Sequence, residues 1–248
     1  MEILQSARRV QRVRHELKRR DVEVARVEPL GTELVRVVFH GEDLADFVSL
    51  GFDDHVKFIF GRNDGNGDPV RRDYTPRAFD RARRELTIDF ALHGDGYASE
   101  WARQAAPGQQ AVVGGPRGSM VVPTDYAWHL LAGDVTALPA IARRLEELPA
   151  SSHAIVVAHV ADVTPLERVR CAARVERHQV ANADEFVAMI RALRLPGAEG
   201  YAWCAGEAST MARVREVLFG ERALPREAMR IAAYWKRGAS DYHDDLAA

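Results

Sequence analysis

Arg72-Asp73-Tyr74-Thr75-Pro76-Arg77 is the stretch that decides the fold, and it follows a loop dense in turn residues at positions 63–69. Side chains alternate across a β-strand. A regular strand would therefore place the first arginine, the tyrosine and the proline on one face and the threonine and the second arginine on the other. An aromatic ring and a guanidinium suited to bidentate phosphate contact would together serve a flavin nucleotide. An ordinary strand with exposed arginines has the same spacing, so the motif alone leaves both interpretations open.

Further short motifs follow this stretch in a defined order, at residues 89–94, 96–102, 115–119, 132–141, 205–209 and 233–238. The ordered set resembles the siderophore-interacting protein family, the flavin-dependent ferric-siderophore reductases of the ferredoxin-reductase-like superfamily. R-x-Y-T-x-R marks only the superfamily, whereas G-D-x-T-A-L-P-A-I and Y-W-K-R-G point to this family. The resemblance covers nearly the whole chain and implies FAD-dependent reduction of a ferric siderophore, which releases ferrous iron.

Composition excludes several other classes of protein. The chain has 248 residues, of which 47% are hydrophobic, enough for one large domain or two small ones. A formal net charge of −2 argues against a nucleic-acid partner. Cys171 and Cys204 form no C-x-x-C pattern, which argues against a zinc site, an iron–sulfur cluster or a disulfide framework and favours the reducing cytoplasm. No apolar run is long enough to span a bilayer and the N-terminus has no signal-peptide core, so no membrane insertion is expected.

The basic N-terminus is predicted to be a solvated helix that leads into the first strand. A membrane surface or nucleic acid is the alternative partner for these cations. They are Arg8, Arg9, Arg12, Arg14, Lys18, Arg19 and Arg20.

The first half of the chain predicts a small antiparallel barrel with one helix at about residues 98–105. Its strands are expected at 22–27, 34–39, 55–60, 72–77, 85–92 and 109–113, with 72–77 paired to 85–92.

The second half predicts a doubly wound parallel sheet, because apolar runs alternate with helical segments. Strands are expected at 128–132, 154–160, 200–205 and 229–235, helices at 138–148, 183–193 and 207–218, and a loose tail from residue 241. The predicted fold class is two-domain β plus α/β: an N-terminal antiparallel Greek-key β-barrel and a C-terminal parallel-sheet α/β nucleotide-binding domain, ferredoxin-reductase-like. The boundary divides residues 1–123, for FAD, from 124–248, for NAD(P)H.

The resemblance implies a role for each residue of the flavin site. Tyr74 would pack on the isoalloxazine, Thr75 would hydrogen-bond near its redox-active edge and Arg77 would hold the pyrophosphate. Small residues at the predicted helix start would let the backbone approach a phosphate, which free N–H groups and the helix dipole favour. An ordinary helix N-cap has the same sequence pattern. The full predicted set is Arg72, Tyr74, Thr75, Arg77, Asp89, Ala91, His93, Gly96, Ala98 and Ser99.

The electron donor is predicted to bind at two strand–turn–helix junctions. Gly133, Asp134 and Thr136 follow a buried strand and open a helix, which is where open α/β sheets bind ligands. Gly206 and Glu207 repeat the pattern and, by resemblance, face a nicotinamide. There is no G-x-G-x-x-G fingerprint, and the family commonly has Glu where this chain has Val135. NADPH or NADH is the expected donor, and ferredoxin stays open because some relatives of the family use it.

The C-terminal motif completes the predicted site. Tyr234 or Trp235 would lie near the flavin and control nicotinamide access. Clustered cations would attract an anionic ferric siderophore, although solvated surface cations are the alternative. The predicted substrate residues are Lys57, Arg117, Lys236 and Arg237.

The protein needs no metal ligands of its own, because the iron arrives chelated, and no side chain is predicted to be catalytic. Two alternative functions stay open: a flavin-binding reductase with another acceptor, and a module that binds ferric siderophore without turnover.

Overall fold

The computed structural model describes residues 9–63, 67–92, 96–197, 199–239 and 244–246. The strands are β1 Gln11–Arg14, β2 Arg19–Leu30, β3 Leu34–His40, β4 Val56–Asn63, β5 Pro69–Tyr74, β6 Ala78–Asp80, β7 Glu85–Ala91, β8 Gln110–Gly114, β9 Gly118–Val121, β10 Trp128–Asp134, β11 His153–His159, β12 Arg174–Val180, β13 Gly200–Glu207, β14 Met229–Trp235 and β15 Asp244–Asp245. The α-helices are α1 Tyr97–Gln104, α2 Leu138–Glu147, α3 Thr164–Glu167, α4 Ala183–Ala192 and α5 Ala208–Arg215. Across these described ranges, no helix is long and apolar enough to cross a membrane.

The first half of the chain forms a seven-stranded, barrel-like antiparallel sheet in the order β5-β4-β8-β2-β3-β7-β6. Its alternating apolar side chains enclose an aromatic core. The Phe58 ring lies 4.7 Å from Trp101 on α1 and 5.3 Å from Phe90 on β7, centroid to centroid. Each such buried side chain contributes about 1.5–3 kcal/mol by leaving water. This core fixes β5, β7 and α1 relative to one another.

The second half forms a sheet in the order β12-β11-β10-β13-β14-β15, parallel except for the short β15. Its central strands are buried on both faces, because helices cover both sides. Leu131 packs with Ile141 of α2 on one face, and Leu130 packs with Phe186 of α4 on the other. The two sheets confirm the predicted fold class. The boundary at residue 123 stays a prediction and falls in the stretch between β9 and β10.

Buried polar contacts join the two sheets. The indole Nε1 of Trp203 on β13 donates to Asp53 at 2.9 Å. The guanidinium of Arg143 on α2 donates to the Ser49 hydroxyl, the Ser49 carbonyl and the Pro76 carbonyl at 2.8–2.9 Å. These groups are buried, so each contact replaces lost hydration and holds the sheets in one orientation.

The predicted basic N-terminal helix is wrong for the described residues. The segment of β1 pairs antiparallel with β9, and β2 already begins at Arg19. The segment forms a strand because the edge of β9 offers it backbone hydrogen bonds that a helix could not make. The arginines of β1 still reach solvent from this strand. Arg20 is buried instead, where it donates to Gly115 O and Asp46. Arg8 lies outside the described residues.

The motif strand is shorter than predicted and has another partner. It ends at Tyr74 and pairs with β4, whereas β7 pairs with the separate strand β6. Pro76 has no N–H to donate to a ladder, which accounts for the break between β5 and β6.

The predicted loose tail is also wrong where the structure describes it. β15 pairs with β14, and the Leu246 N–H donates to Ile231 O at 2.8 Å. Leu246 packs against the core face covered by α4 and α5, so apolar burial holds this segment to the sheet. Residues 240–243, 247 and 248 lie outside the described part.

Candidate active site

A cavity of about 440 Å³ lies where the two sheets meet. Five parts of the chain form it: the residue before β4, the end of β5, the end of β7 with the start of α1, the turn into α2, and the end of β14 with the segment that follows it. The lining residues are His55, Arg72, Asp73, Tyr74, Thr75, Asp89, Ala91, Gly96, Tyr97, Ala98, Ser99, Thr136, Pro139, Tyr234, Trp235, Lys236, Arg237, Gly238 and Ala239.

The motif strand contributes an aromatic ring, a cation and a carboxylate to the cavity. The Tyr74 ring packs 4.4 Å from Phe90, and burial of its phenol raises the pKa of Tyr74. Arg72 stays partly exposed, with Nη1 donating to Arg71 O. Asp73 Oδ2 accepts from Lys57 Nζ at 2.9 Å, whereas its Oδ1 is buried and has no hydrogen-bond partner among the described residues. A buried acceptor without a partner indicates that a ligand or water completes this wall.

The structure does not bring Arg77 to the cavity surface. Its side chain is 6% exposed, and its two Nη atoms donate to Glu146 of α2 at 2.8 and 2.6 Å. Asp89 lies beside it, 3.9 Å from Nε, and accepts two hydrogen bonds from Arg36. Arg77 therefore joins the motif segment to α2. Its contact with a flavin pyrophosphate stays a prediction that this position does not support, and Arg72 is the arginine of the motif that reaches the cavity.

The N-terminus of α1 faces the cavity. Gly96 is its N-cap, and no side chain in the described part of the protein caps it. The positive end of the helix dipole is therefore directed at the cavity, where it favours an anion, and a Cβ at Gly96 would meet nothing within 4 Å. Ser99 donates to Ala91 O at 3.4 Å and ties the helix to β7. His93 lies outside the described residues, so its predicted contact stays a prediction.

Asp134 joins the carboxyl ends of three strands beneath the cavity. Its Oδ1 accepts from the N–H and hydroxyl of Thr136, and its Oδ2 accepts from the Glu207 N–H at 3.0 Å and from Trp235 Nε1 at 2.9 Å. Gly206 has a φ of 155°, and a Cβ there would lie 2.7 Å from Asp134 Oδ2. Thr136 and Trp235 line the cavity, whereas Gly133, Asp134, Gly206 and Glu207 support it from below.

The aromatic end of β14 and the cationic segment after it close the cavity. The Thr75 side chain hydrogen-bonds the Tyr234 phenol, whose pKa burial raises. Burial opposes ionisation of Glu207, but hydrogen bonds from Ser209, Thr210 and the Arg237 backbone outweigh it and lower the pKa of Glu207. Glu207 thereby fixes the backbone of Arg237 at the cavity wall.

The predicted substrate cations separate into two groups. Lys236 and Arg237 line the cavity. Lys57 and Arg117 are not among the lining residues; Lys57 reaches the wall through Asp73, and Arg117 is exposed.

Sequence reasoning missed several lining residues. Asp73 and Tyr97 lie inside motifs that it recognised, so position within those motifs was an available signal. Pro139 and Gly238 also lie inside recognised motifs, whereas His55 and Ala239 carry no signal in the sequence, because only the folding of distant segments brings them to the cavity.

Comparison with known proteins matches both halves of the chain. The siderophore-interacting protein signature matches residues 126–238, and the siderophore-interacting FAD-binding domain matches 23–68 and 62–120. The NADPH-dependent ferric-chelate reductase of Escherichia coli is 36% identical over 91% of this chain and 96% of its own length. The ferric vibriobactin reductase ViuB of Vibrio cholerae is 30% identical over 90% and 92%. The crystal structure of a siderophore utilization protein from T. fusca superposes with a TM-score of 0.84 at 32% identity, over 94% of this chain and 98% of that one.

Proposed function

The chain belongs to the siderophore-interacting protein family, and we propose that it is an FAD-dependent reductase that reduces a ferric siderophore and releases ferrous iron. The observation that carries the proposal is one cavity in which the R-x-Y-T strand, the N-terminus of α1 and the cationic segment after β14 meet. A nicotinamide is the electron donor, and ferredoxin is the alternative.

The cavity residues fit FAD. Tyr74, Thr75 and Ala91 would hold the ring system and the ribityl chain, and Arg72 with the N-terminus of α1 would hold the phosphates. The buried Asp73 Oδ1 without a described partner marks a wall that a ligand completes. When bound, FAD would supply the chemistry that links a two-electron hydride donor to a one-electron acceptor.

The chain's own residues orient the reactants and control access to the cavity. Asp134 holds Trp235 through the indole N–H, and Thr75 holds the Tyr234 phenol, so both rings have defined positions. These rings and the backbone of Arg237 exclude water from one side of the cavity. Lys236 and Arg237 present positive charge there, which suits an anionic ferric catecholate.

Reduction releases the iron because siderophore oxygens are hard donors. Hard oxygen ligands bind Fe(III) more strongly than Fe(II), so one added electron weakens the chelate. One hydride reduces two ferric ions. We place the reaction in the cytoplasm, where a reducing environment fits the free thiols of Cys171 and Cys204.

The experiment mixes the purified protein, reconstituted with FAD, with a nicotinamide, a ferric tricatecholate and a ferrous-specific dye under anaerobic conditions. We expect dye formation that requires protein, FAD and donor together. A flavin that is reduced but leaves the ferric chelate intact would favour a reductase with another acceptor. Binding of the chelate without FAD binding would favour the non-catalytic module.

A further inference from the structure

The parallel sheet has a topological switch point between β10 and β13. The chain continues from β10 to β11 on one side and later enters β13 on the other. Open α/β sheets bind ligands at the carboxyl ends of the strands beside such a point. Asp134 and Gly206 lie there, next to the flavin cavity. A dinucleotide with its nicotinamide at this position extends its adenosine half along the carboxyl edge of the sheet.

A second cavity, of about 580 Å³, lies in that direction, at the carboxyl ends of β11 and β12. Its lining includes Glu33, Ala161, Ala181 and Glu185. In Rossmann-type sheets a carboxylate accepts the ribose 2′-hydroxyl of NADH, whereas an arginine accommodates the 2′-phosphate of NADPH, and the same chemistry applies wherever the ribose lies. The described lining contains two carboxylates and one histidine, His159, and neither lysine nor arginine.

The Glu33 carboxylate occupies the place after β11 where two backbone N–H groups could bind an anion. It lies at the tip of the β2–β3 hairpin, and its Oε2 accepts from the Ala161 N–H at 2.8 Å and the Asp162 N–H at 2.9 Å. Successive backbone N–H groups of this kind form the concavity that binds phosphate oxygens in many nucleotide sites. Here the protein's own carboxylate occupies it, so a phosphate would have to displace a charged group that holds two hydrogen bonds.

The hairpin that carries Glu33 is fixed from both sides. Asp162 Oδ2 accepts from the Thr32 N–H at 2.8 Å, and the Glu33 carbonyl accepts from the Leu92 N–H at 2.8 Å. Gly31 has a φ of 71°, and a Cβ there would lie 2.2 Å from Asp162 Oδ2, so the tip packs closely against the loop after β11. Moving the carboxylate aside would break this reciprocal set of contacts.

Glu185 is also held in place. Its Oε2 accepts from the Ala181 N–H at 3.0 Å and its Oε1 accepts from Asn182 at 2.8 Å. Both carboxylates therefore keep their positions as fixed negative charges at the rim of the cavity.

We propose that Glu33 and Glu185 make the protein prefer NADH by excluding the 2′-phosphate of NADPH. This assignment rests on the proposed reductase function and names its donor: NADH gives a hydride to the flavin, NAD⁺ leaves, and the electron pair reduces two ferric ions. It differs from the donor in the name of the Escherichia coli relative.

The first test measures the reductive half-reaction without any ferric chelate. Anaerobic bleaching of the bound flavin by NADH and by NADPH should favour NADH by about tenfold or more in second-order rate constant, because like charges repel across the cavity. Glu33→Gln keeps an oxygen for the two N–H groups and removes the charge. This variant should raise the second-order rate constant for bleaching by NADPH about fivefold and change the rate constant for NADH less than about twofold. Glu28→Gln, exposed on β2, is the matched control and should leave the ratio unchanged.

The second test measures binding alone. Calorimetry should show adenosine 5′-monophosphate binding more tightly than adenosine 2′,5′-bisphosphate, with a smaller difference in Glu33→Gln and in Glu185→Gln. Tighter binding of the bisphosphate, or a wild-type preference for NADPH, would overturn the proposal. Because two variants are tested, the comparison can still be made if one of them fails to fold.

The outcomes separate this proposal from the reductase function. If NADH bleaches the flavin and the ferric chelate stays oxidised, the donor preference stands and the reductase function fails. If neither nicotinamide bleaches the flavin, while protein reduced by dithionite still reduces the ferric chelate, the reductase function stands and the donor assignment is overturned.

Discussion

Two arginines of one motif have different environments, and this difference decides what each can do. Arg72 reaches the cavity and is partly exposed, whereas Arg77 is buried and donates to Glu146 of α2. The two arginines are five positions apart in sequence. They have different structural roles because β5 ends between them.

Exchanging each arginine for alanine should separate these roles. Arg72→Ala removes a charge-assisted phosphate contact, so FAD affinity should fall by about 1.5–3 kcal/mol with little change in thermal stability. Arg77→Ala leaves Glu146 without its partner and should lower the melting temperature more than it lowers FAD affinity. Flavin retention on gel filtration and thermal unfolding of the apoprotein measure the two effects. Loss of FAD in Arg77→Ala alone would restore the original assignment of the pyrophosphate contact.

His129 makes stability depend on pH. Burial, and next the charge of Arg144, lower the pKa of His129 to about 3, against an ordinary value of about 6.5. As the pH falls below about 6.5, the unfolded chain binds a proton that the folded chain refuses, so stability decreases with pH down to about pH 3. From pH 7 to pH 5 this residue should remove about 2 kcal/mol.

His129 forms a hydrogen bond with the Thr124 backbone, and a glutamine amide can replace it. Urea unfolding of His129→Gln at both pH values therefore tests this effect. The variant should lose much less stability than the wild type between pH 7 and pH 5. His40→Gln, at an exposed histidine on β3, should keep most of the wild-type dependence. Equal pH dependence in all three proteins would exclude His129 as its source.

At the scale of elements, helix α2 connects the two sheets. Arg143 donates to three oxygens of the first sheet's loops, and the geometry needs the planar fork of a guanidinium. Arg143→Lys should therefore destabilise the protein by about 1–3 kcal/mol, because a buried carbonyl loses its partner. Arg26→Lys, at an exposed pair with Glu85, is the control and should change stability by less than about 0.5 kcal/mol. Chemical denaturation of the three proteins compares them, and an unaffected Arg143→Lys would show that the interface does not depend on this fork.

The elements also show which part of the fold the sequence could predict. β10 and β11 are largely apolar runs, a pattern typical of strands buried on both faces, and both were predicted correctly. β12 was missed because its residues, Arg174–Val180, alternate charges at the edge of the sheet and carry little apolar signal. The N-terminal segment became a strand because β9 offered a partner, and a partner distant in sequence leaves no local signature.

At the scale of the whole molecule, the candidate site depends on segments that are far apart in sequence. The sequence predicted Tyr74, Ser99, Tyr234 and Arg237 as site residues, because each lies in a recognisable motif, and the structure gathers them around one cavity. It could not place Arg77 outside that cavity, since this required the position of Glu146 on another element. Electrostatics at the cavity also depends on the whole molecule, because a net charge of −2 means that local cations, and not the overall charge, must attract an anionic substrate.

Salt should reveal this local attraction. Lys236 and Arg237 line the cavity, and Glu207 fixes the backbone of Arg237 there. The Debye length falls from about 10 Å at 0.1 M salt to about 3 Å at 1 M, so kcat/KM for an anionic ferric chelate should fall as salt rises, while a neutral chelate should respond much less.

Arg237→Glu should raise KM for the anionic chelate more than it lowers kcat, because the contact exists in the ground state and the transition state alike. Steady-state kinetics with both chelates measures these effects, with Arg213→Glu on α5, paired to Asp184, as a surface control. Equal salt dependence for the two chelates, or a normal KM in Arg237→Glu, would identify these cations as ordinary surface residues.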